Sequence, residues 1–508
     1  MAASPIVLKV DPGIKRDGTK FDGNFYTDGQ WVRFQRGLPR KIGGYRSITK
    51  YLPEISRGIT SYAQNGYVYC HSGSASELQR FTIDQNFNSS IMTDRTPVGL
   101  TSSDNNLWSF DYMYDSSALG TSIIAHVAPN SVPVSNDSGG AIYSGDVAGT
   151  SALTAITVPA GADASGGIVV LHPYLFYFGT GGIIGWSVAG EPTDLSSAGS
   201  GIARPWGTKI VKGLPLRGVG SGPAGIFWAY DAVIRAVFTG GSTVFEFDVL
   251  ATDTSIMSAA SVIDYDGVFY WAGVDRFMMF NGVARELQNT MNLNWFFDGI
   301  NQEYKSKVFA FKNARYGEIW WCYPRGTATE CTHAIIYNVR ENSWYDTELP
   351  NSGRSSGLAC TAYAVPIMAG VEESTSGFKV WVHEEGTDAI SGSQRIPVQS
   401  YFETADISAV ATQGINTRLH ISAIEPDFVQ DGDMKVQIVG RANAKAPEVY
   451  SSEFTFPATA TYPYQEIVML KEQRRELRVK FISDTLGGDY QMGQIILHID
   501  QGDKQVLG

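Results

Sequence analysis

The chain has 508 residues, 43% of them apolar and only 18% charged, against roughly 25% charged in an average globular domain. Its 54 glycines, 21 prolines and 12% aromatics favour many short strands and turns and argue against helical bundles, coiled coils and disorder. The net charge of −12 divides unevenly: residues 1–60 carry +6 and the remainder −18, a pattern that suggests a docking element for an anionic partner, nucleic acid or an acidic protein surface. The acidic body argues against wrapping DNA, whose affinity comes from neutralised phosphates.

The N-terminus, MAASPIVLKVDPG, lacks the basic region and apolar core of a signal peptide. The expectation is a protein made and kept in a cytoplasm, or assembled from it. The basic run from Arg33 to Arg46 follows, with Arg33, Arg36, Arg40, Lys41 and Arg46 around Phe34 and Tyr45. Such a run can guard a strand edge or form a docking surface. These seven residues are the candidate partner-docking site.

One unit then recurs: an aromatic and β-branched strand, a turn and a second strand. Copies start near 67, 122, 174, 226, 268, 319 and 378, at spacings from 42 to 59 residues. A period near 50 with this texture predicts a β-propeller of six blades, or seven, because one small twisted sheet buries its faces only by stacking on others. An irregular double sandwich would show similar strands by composition alone. Residues 129–167 have no Lys, Arg or Trp and read as an inserted hairpin projecting from a blade, or as a flexible loop. The apolar stretch 167–190 is broken by His172, Pro173 and glycines, so it is no membrane span. Residues 289–307 are the best helix candidate. From about 412 the segments alternate strictly, as in half-buried antiparallel strands. The expected division is a basic docking segment with the first strands (1–56), a propeller with its insertion (57–411) and a sandwich-like β domain (412–508).

Searches for chemistry find little. Cys70, Cys322, Cys331 and Cys360 show no CxxC spacing and read as buried thiols. No two histidines fall within four residues of each other, so no local two-His metal site exists. The string from Ser135 to Ile142 is a poor Asp box, with Tyr143 one place late. Asp264 and Asp266, and likewise Asp427, Asp431 and Asp433, resemble parts of cation loops, but Asp-Gly turns account for both more simply. Lys471, Arg474, Arg475, Arg478 and Lys480 alternate with Glu472 and Glu476, which reads as a salt-bridged face. No catalytic site, metal or cofactor is expected.

The string from Pro12 to Ile48 resembles the N-terminal signature of tail nozzle proteins of short-tailed bacteriophages, also called tail-hub, head-completion or DNA-stabilising proteins. The matching pieces are Arg16-Asp17-Gly18-Thr19, then Asp28-Gly29-x-Trp31-Val32-Arg33-Phe34, then Gly37-x-Pro39-x-Lys41-Ile42-Gly43-Gly44-Tyr45. Weaker matches are Ile184 to Ser187 with Glu191-Pro192, Arg418 to His420 with Glu425 to Phe428, and Gln491 to Gly493. The resemblance implies a virion protein that forms a hexameric ring below the portal and adaptor. The ring encloses a channel for double-stranded DNA, carries tail fibres or tailspikes, and has no enzyme activity, cofactor or stable membrane insertion. It would be synthesised in the bacterial host cytoplasm and reside in the tail. The alternative expectation is a carbohydrate-binding or glycan-cleaving propeller acting as a receptor-binding tail protein. Cleavage would need paired carboxylates on a pocket, and none is legible.

Overall fold

The computed structural model describes residues 4–20, 24–100, 102–128, 140–218, 222–241, 243–407, 417–441, 445–458, 468–474 and 476–504. Six four-stranded antiparallel blades, and a seventh whose sheet is extended to six strands by Asp388–Ser391 and Gln394–Pro397, account for residues 45–52 and 58–397. Blade 1 runs from Gly58–Gln64 to Thr93–Asp94, blade 2 from Trp108–Asp115 to Thr154–Ile156, and blade 3 from Gly167–Leu171 to Gly201–Ala203. Blade 4 spans Ile210–Pro215 to Phe245–Thr252, blade 5 Ile263–Tyr265 to Ala284–Glu286, and blade 6 Phe309–Asn313 to Ser343–Glu348. The inner strand of each blade lies towards a common axis.

Blade 7 is built differently. Its first three strands are Arg354–Cys360, Val365–Ser374 and Gly377–His383, and its fourth is Tyr45–Leu52 from the N-terminal region. That strand pairs antiparallel, with Trp381 opposite Ser47 and His383 opposite Tyr45. Blade 7 therefore joins the two ends of the propeller's chain by backbone hydrogen bonds. The ragged spacing near residue 378 now has a cause: Phe378 lies on the third strand of its blade, whereas the other repeat starts lie on second strands. Of the six or seven blades expected, the sheets form seven.

Aromatic residues fill the wedges between blades, where burial of apolar area and ring contacts both contribute. Phe176, Phe178, Phe227 and Phe245 pack between blades 3 and 4, and Trp228 and Trp271 between blades 4 and 5. Phe277, Trp321 and Trp344 join blades 5 and 6. Small residues admit some of these rings. A Cβ on Gly73 would stand 2.3 Å from Trp108 of the next blade.

Residues 129–167 do not form a projecting insert as far as they are described. Ala141–Asp146 and Thr154–Ile156 are the outer two strands of blade 2, and Ile142, Tyr143 and Ile156 are buried there. Residues 129–139 lie outside the described residues, including most of the poor Asp box. The helix expected in 289–307 is reduced to one five-residue turn, Leu293–Phe297, and a 3-10 segment, Gln302–Lys307.

A two-sheet sandwich stands beside blades 6 and 7. One sheet contains Thr417–Asp431, Asp489–Lys504, Val468–Arg474, Ser4–Leu8 and the hairpin Val32–Gln35/Leu38–Lys41. The other contains Glu476–Ser483, Met434–Arg441, Ser400–Glu403 and Asp28–Gln30, with two short edge strands. Leu419, Ile421, Ile424 and Leu497 of the first sheet share a core with Val436, Ile438, Val479 and Phe481 of the second. The sheets thus divide the chain otherwise than at 56 and 411, because four strands from before residue 42 belong to the sandwich, Asp11–Ile14 and Phe25–Tyr26 pair with each other, and 45–52 belongs to the propeller.

Removal of residues 1–53 should leave the third strand of blade 7 without its partner and the sandwich short of four strands. The truncated chain is expected to lose its cooperative thermal transition. A soluble truncation melting at the full-length temperature would show that blade 7 closes without the N-terminal strand.

Candidate functional site

The residues singled out in the N-terminal run do not form one exposed surface. Arg33 is 1% exposed, Phe34 0%, Lys41 3% and Tyr45 6%. Arg40 and Arg46 are half-buried, and Arg36 alone is exposed. The docking patch expected from the sequence is corrected accordingly: four of its seven residues are internal.

Partners far along the chain draw the buried cations inward. The Arg33 Nε–H donates to Glu318 Oε1 at 2.8 Å and its Nη2 to Glu318 Oε2 at 3.1 Å. Its Nη1 donates to Glu384 Oε2 at 3.0 Å, and Nη2 is also paired with Glu384. The guanidinium lies 3.5 Å from the centre of the Tyr316 ring. Glu318 also accepts from Tyr345 Oη at 2.6 Å and Trp320 Nε1 at 2.9 Å. Burial pushes the Glu318 carboxyl up, against the opposing pull of Arg33. Burial also works against the Arg33 charge, but Glu318 and Glu384 outweigh it and raise its pKa.

Phe34 packs on Tyr26 and Tyr345, and Tyr45 stands edge-on to Trp381 and stacks on His383. Lys41 donates to the Gly488 carbonyl at 2.7 Å, and burial lowers its pKa while Asp388 opposes. Arg40 donates to Gln35 across its hairpin at 2.9 Å. Arg36 and Gly37 have φ of 55° and 75°, the left-handed pair of a tight hairpin turn. Glu341 holds that turn by accepting from both backbone N–H groups at 2.8 and 3.0 Å.

The Arg16-Asp17 pair is a second seam. Arg16 donates to Asp346 at 2.9 Å and to the Gly29 carbonyl at 3.1 Å, and it is paired with Asp28. The Asp17 carboxylate accepts from the backbone N–H of Asn294 and Trp295, both at 2.8 Å. Sequence reasoning missed this contact with the short helix, which joins positions more than 270 residues apart. In the other basic cluster, Arg478 is buried between Glu403 and Glu448, and Arg441 bonds Glu476 at 2.7 Å. Arg475 and the Lys471 side chain lie outside the described residues.

The Asp264 carboxylate accepts from Gly267 N at 2.9 Å in a turn; Asp431 and Gly432 do not form the expected hairpin but carry the chain from Thr417–Asp431 in one sandwich sheet to Met434–Arg441 in the other. Among the described residues no group of three His, Cys, Asp or Glu side chains could hold a metal ion, and no helix is long and apolar enough to cross a membrane. The four cysteines are free and buried.

The remaining concave feature is the propeller axis. All seven inner strands line a cavity of about 550 Å³. A bore only as wide as the major groove, about 12 Å, would enclose about 1,100 Å³ over about 10 Å of depth, so an axial space of about 550 Å³ does not hold a duplex. His126 beside the cavity is 1% exposed. Its Nε2–H donates to the Ala164 carbonyl at 2.6 Å, which leaves Nδ1 to accept from Ser109 Oγ at 3.2 Å. Burial drives its pKa down to about 4.

No protein-family model matches this sequence, and no curated protein matches it. Among solved structures, the WD40 β-propeller domain of Doa1 is similar at 10% identity and a TM-score of 0.38, over 68% of this chain and 98% of that one. The propeller assignment here rests on the strand pairing itself.

Replacing Arg33 by Met would leave two buried carboxylates facing each other, at a cost of about 3–5 kcal/mol. Arg36→Glu at the exposed turn should change stability by about 0.5 kcal/mol or less. Urea unfolding of both variants tests the difference, and equal midpoints would show that the Arg33 cluster contributes nothing. For His126 the folded pKa lies below the unfolded one, so the neutral ring stabilises fully above about pH 6.5 and loses that contribution as pH falls towards about 4. His126→Asn should flatten the stability curve in that window by about 3 kcal/mol. An unchanged slope would show that His126 already takes up its proton in the native state.

Proposed function

We propose that the chain is a structural virion protein, one subunit of the ring-shaped tail nozzle or hub of a short-tailed bacteriophage. In this reading it attaches below the portal–adaptor complex, carries fibres or spikes, and conducts and retains double-stranded DNA during packaging and ejection. It acts as a homohexamer and catalyses nothing.

The observation that carries the reading is the use made of the N-terminal string. Arg16, Asp17, Asp28, Trp31, Arg33 and Phe34 all lie in the seam between propeller and sandwich. A string that holds two domains together supports kinship with proteins of the same two-part design. The narrow propeller axis is consistent with a DNA path built between copies. The −18 charge of residues 61–508 suits a channel wall that lets phosphate slide past without gripping it. Of the basic run, Arg36 with parts of Arg40 and Arg46 remains available to an acidic adaptor.

Negative-stain imaging and mass in solution test this. Rings of about six copies with a central hole are expected, with DNA binding weaker than micromolar at physiological salt. Monomers or trimers that bind or cleave glycans would favour a receptor-binding propeller instead. Tight, salt-dependent DNA binding by the ring would contradict the passive channel wall.

A further inference from the structure

A long strand with a free edge offers its backbone N–H and C=O groups to any other chain, so folds shorten or cover such edges. The outer strands of blades 1, 2, 3 and 5 have only two or three residues. Blade 6 has a six-residue outer strand, Ser343–Glu348, but the N-terminal arm lies along it. Gln30 Nε2 donates there to the Glu348 carbonyl at 2.9 Å, and Glu348 N to Gln30 Oε1 at 2.9 Å. Blade 7 covers Tyr45–Leu52 with Asp388–Ser391. Blade 4 does neither. Its outer strand, Phe245–Thr252, runs for eight residues, pairs on one side with Ala232–Phe238, and has no strand on the other among the described residues. Glu246, Val249 and Thr252 are exposed along it.

The chain holds a second edge of matching length. Val468–Arg474, seven residues, ends the first sandwich sheet, and Thr417–Asp431 is its only strand partner among the described residues. Alternate residues of a paired strand turn their N–H and C=O away from the neighbour, so about half the residues of each edge are left to bond elsewhere. The charges of the two strands are opposite. Phe245–Thr252 carries Glu246 and Asp248 and is followed by Asp253, whereas Val468–Arg474 carries Lys471 and Arg474 against Glu472. Two blade 4 edges meeting about a twofold axis would set like charges against each other, which disfavours that pairing. The two edges belong to separate sheets of one copy, and blade 5 stands between blade 4 and the blades beside the sandwich.

We propose that the outer edge of blade 4 is a docking site for a second copy of this chain, which adds its strand Val468–Arg474 to the blade as a fifth strand. Main-chain hydrogen bonds supply the attachment and the opposed charges its selectivity. The contact joins unlike surfaces. Repeated from copy to copy, it builds a ring where the rotation closes and a filament where it does not. Ring closure rests on the homohexamer of the proposed function; the strand pairing does not.

Sedimentation of the full chain over about 1–100 μM, with hydrogen exchange of the assembled species, tests it. Association is expected, with amides of both Phe245–Thr252 and Val468–Arg474 more protected in the assembly than in dilute protein. Glu246→Lys combined with Val249→Lys, two exposed positions, should weaken association at least about tenfold and keep the wild-type melting temperature. If that variant fails to fold, the exchange comparison on the unaltered chain decides alone. Assemblies that form without protecting both strands, or that persist unchanged in the folded variant, overturn the pairing and leave the nozzle reading standing. Dimers or filaments that protect both strands and that the variant disperses uphold the pairing and overturn the ring. A chain that is monomeric throughout the range overturns both.

Discussion

One guanidinium between two carboxylates joins the sandwich to blades 6 and 7. Arg33 comes from the sandwich hairpin, Glu318 from the second strand of blade 6, and Glu384 from the end of the third strand of blade 7. An isolated charge could not be buried at these positions, since desolvation would exceed any local gain. The cluster is tolerable because its groups arrive together and nearly every lone pair is met, by Tyr345, Trp320, Asn313 and Gly43. Satisfaction of that kind specifies a geometry: the hairpin can sit against blades 6 and 7 in one register only. Trp31, fixed by its N–H to Thr347 Oγ1 at 3.0 Å and its indole to the Gly43 carbonyl at 3.0 Å, repeats the constraint two residues away.

Closure of the propeller depends on the same segment. Three residues separate the end of the sandwich hairpin at Lys41 from the strand Tyr45–Leu52 of blade 7. Gly44 makes that passage possible, since a Cβ there would stand 2.3 Å from the Asp388 carbonyl oxygen. The arm therefore contributes first to the sandwich and then to the ring. An error in one would displace the other, which ties two domains of unlike architecture into one cooperative unit.

The blades were legible in the sequence because each carries its own signal. Stretches such as Tyr174 to Phe178 and Phe269 to Ala272 are buried on both faces of a stacked sheet and read as continuous apolar runs. The alternation of Leu419, Ile421 and Ala423 with His420 and Ser422 likewise matches a strand with one buried face. What the sequence concealed is pairing at long range. Nothing local to Tyr45–Leu52 reveals that its neighbour is Gly377–His383, or that Ser4–Leu8 lies beside Asp489–Lys504. The low charge of 129–167 misled for a related reason: poverty in Lys and Arg marks outer blade strands as readily as it marks a loop.

The charge asymmetry is the deepest case of this kind. Counted along the chain, residues 1–60 hold a surplus of +6, and a surplus suggests a surface looking for an acidic partner. In the fold, Arg16 meets Asp28 and Asp346, Lys20 meets Glu448, Arg33 meets Glu318 and Glu384, and Arg57 meets Glu330. Lys41 is spent on a carbonyl. Most of the acids in these pairs lie beyond residue 300, in the portion whose count is −18. Four of the eleven cations of residues 1–60 thus find acidic partners beyond residue 300. A linear count of charge finds the attraction and mistakes its address: the acidic partner of the basic segment is, for these residues, the rest of the same chain.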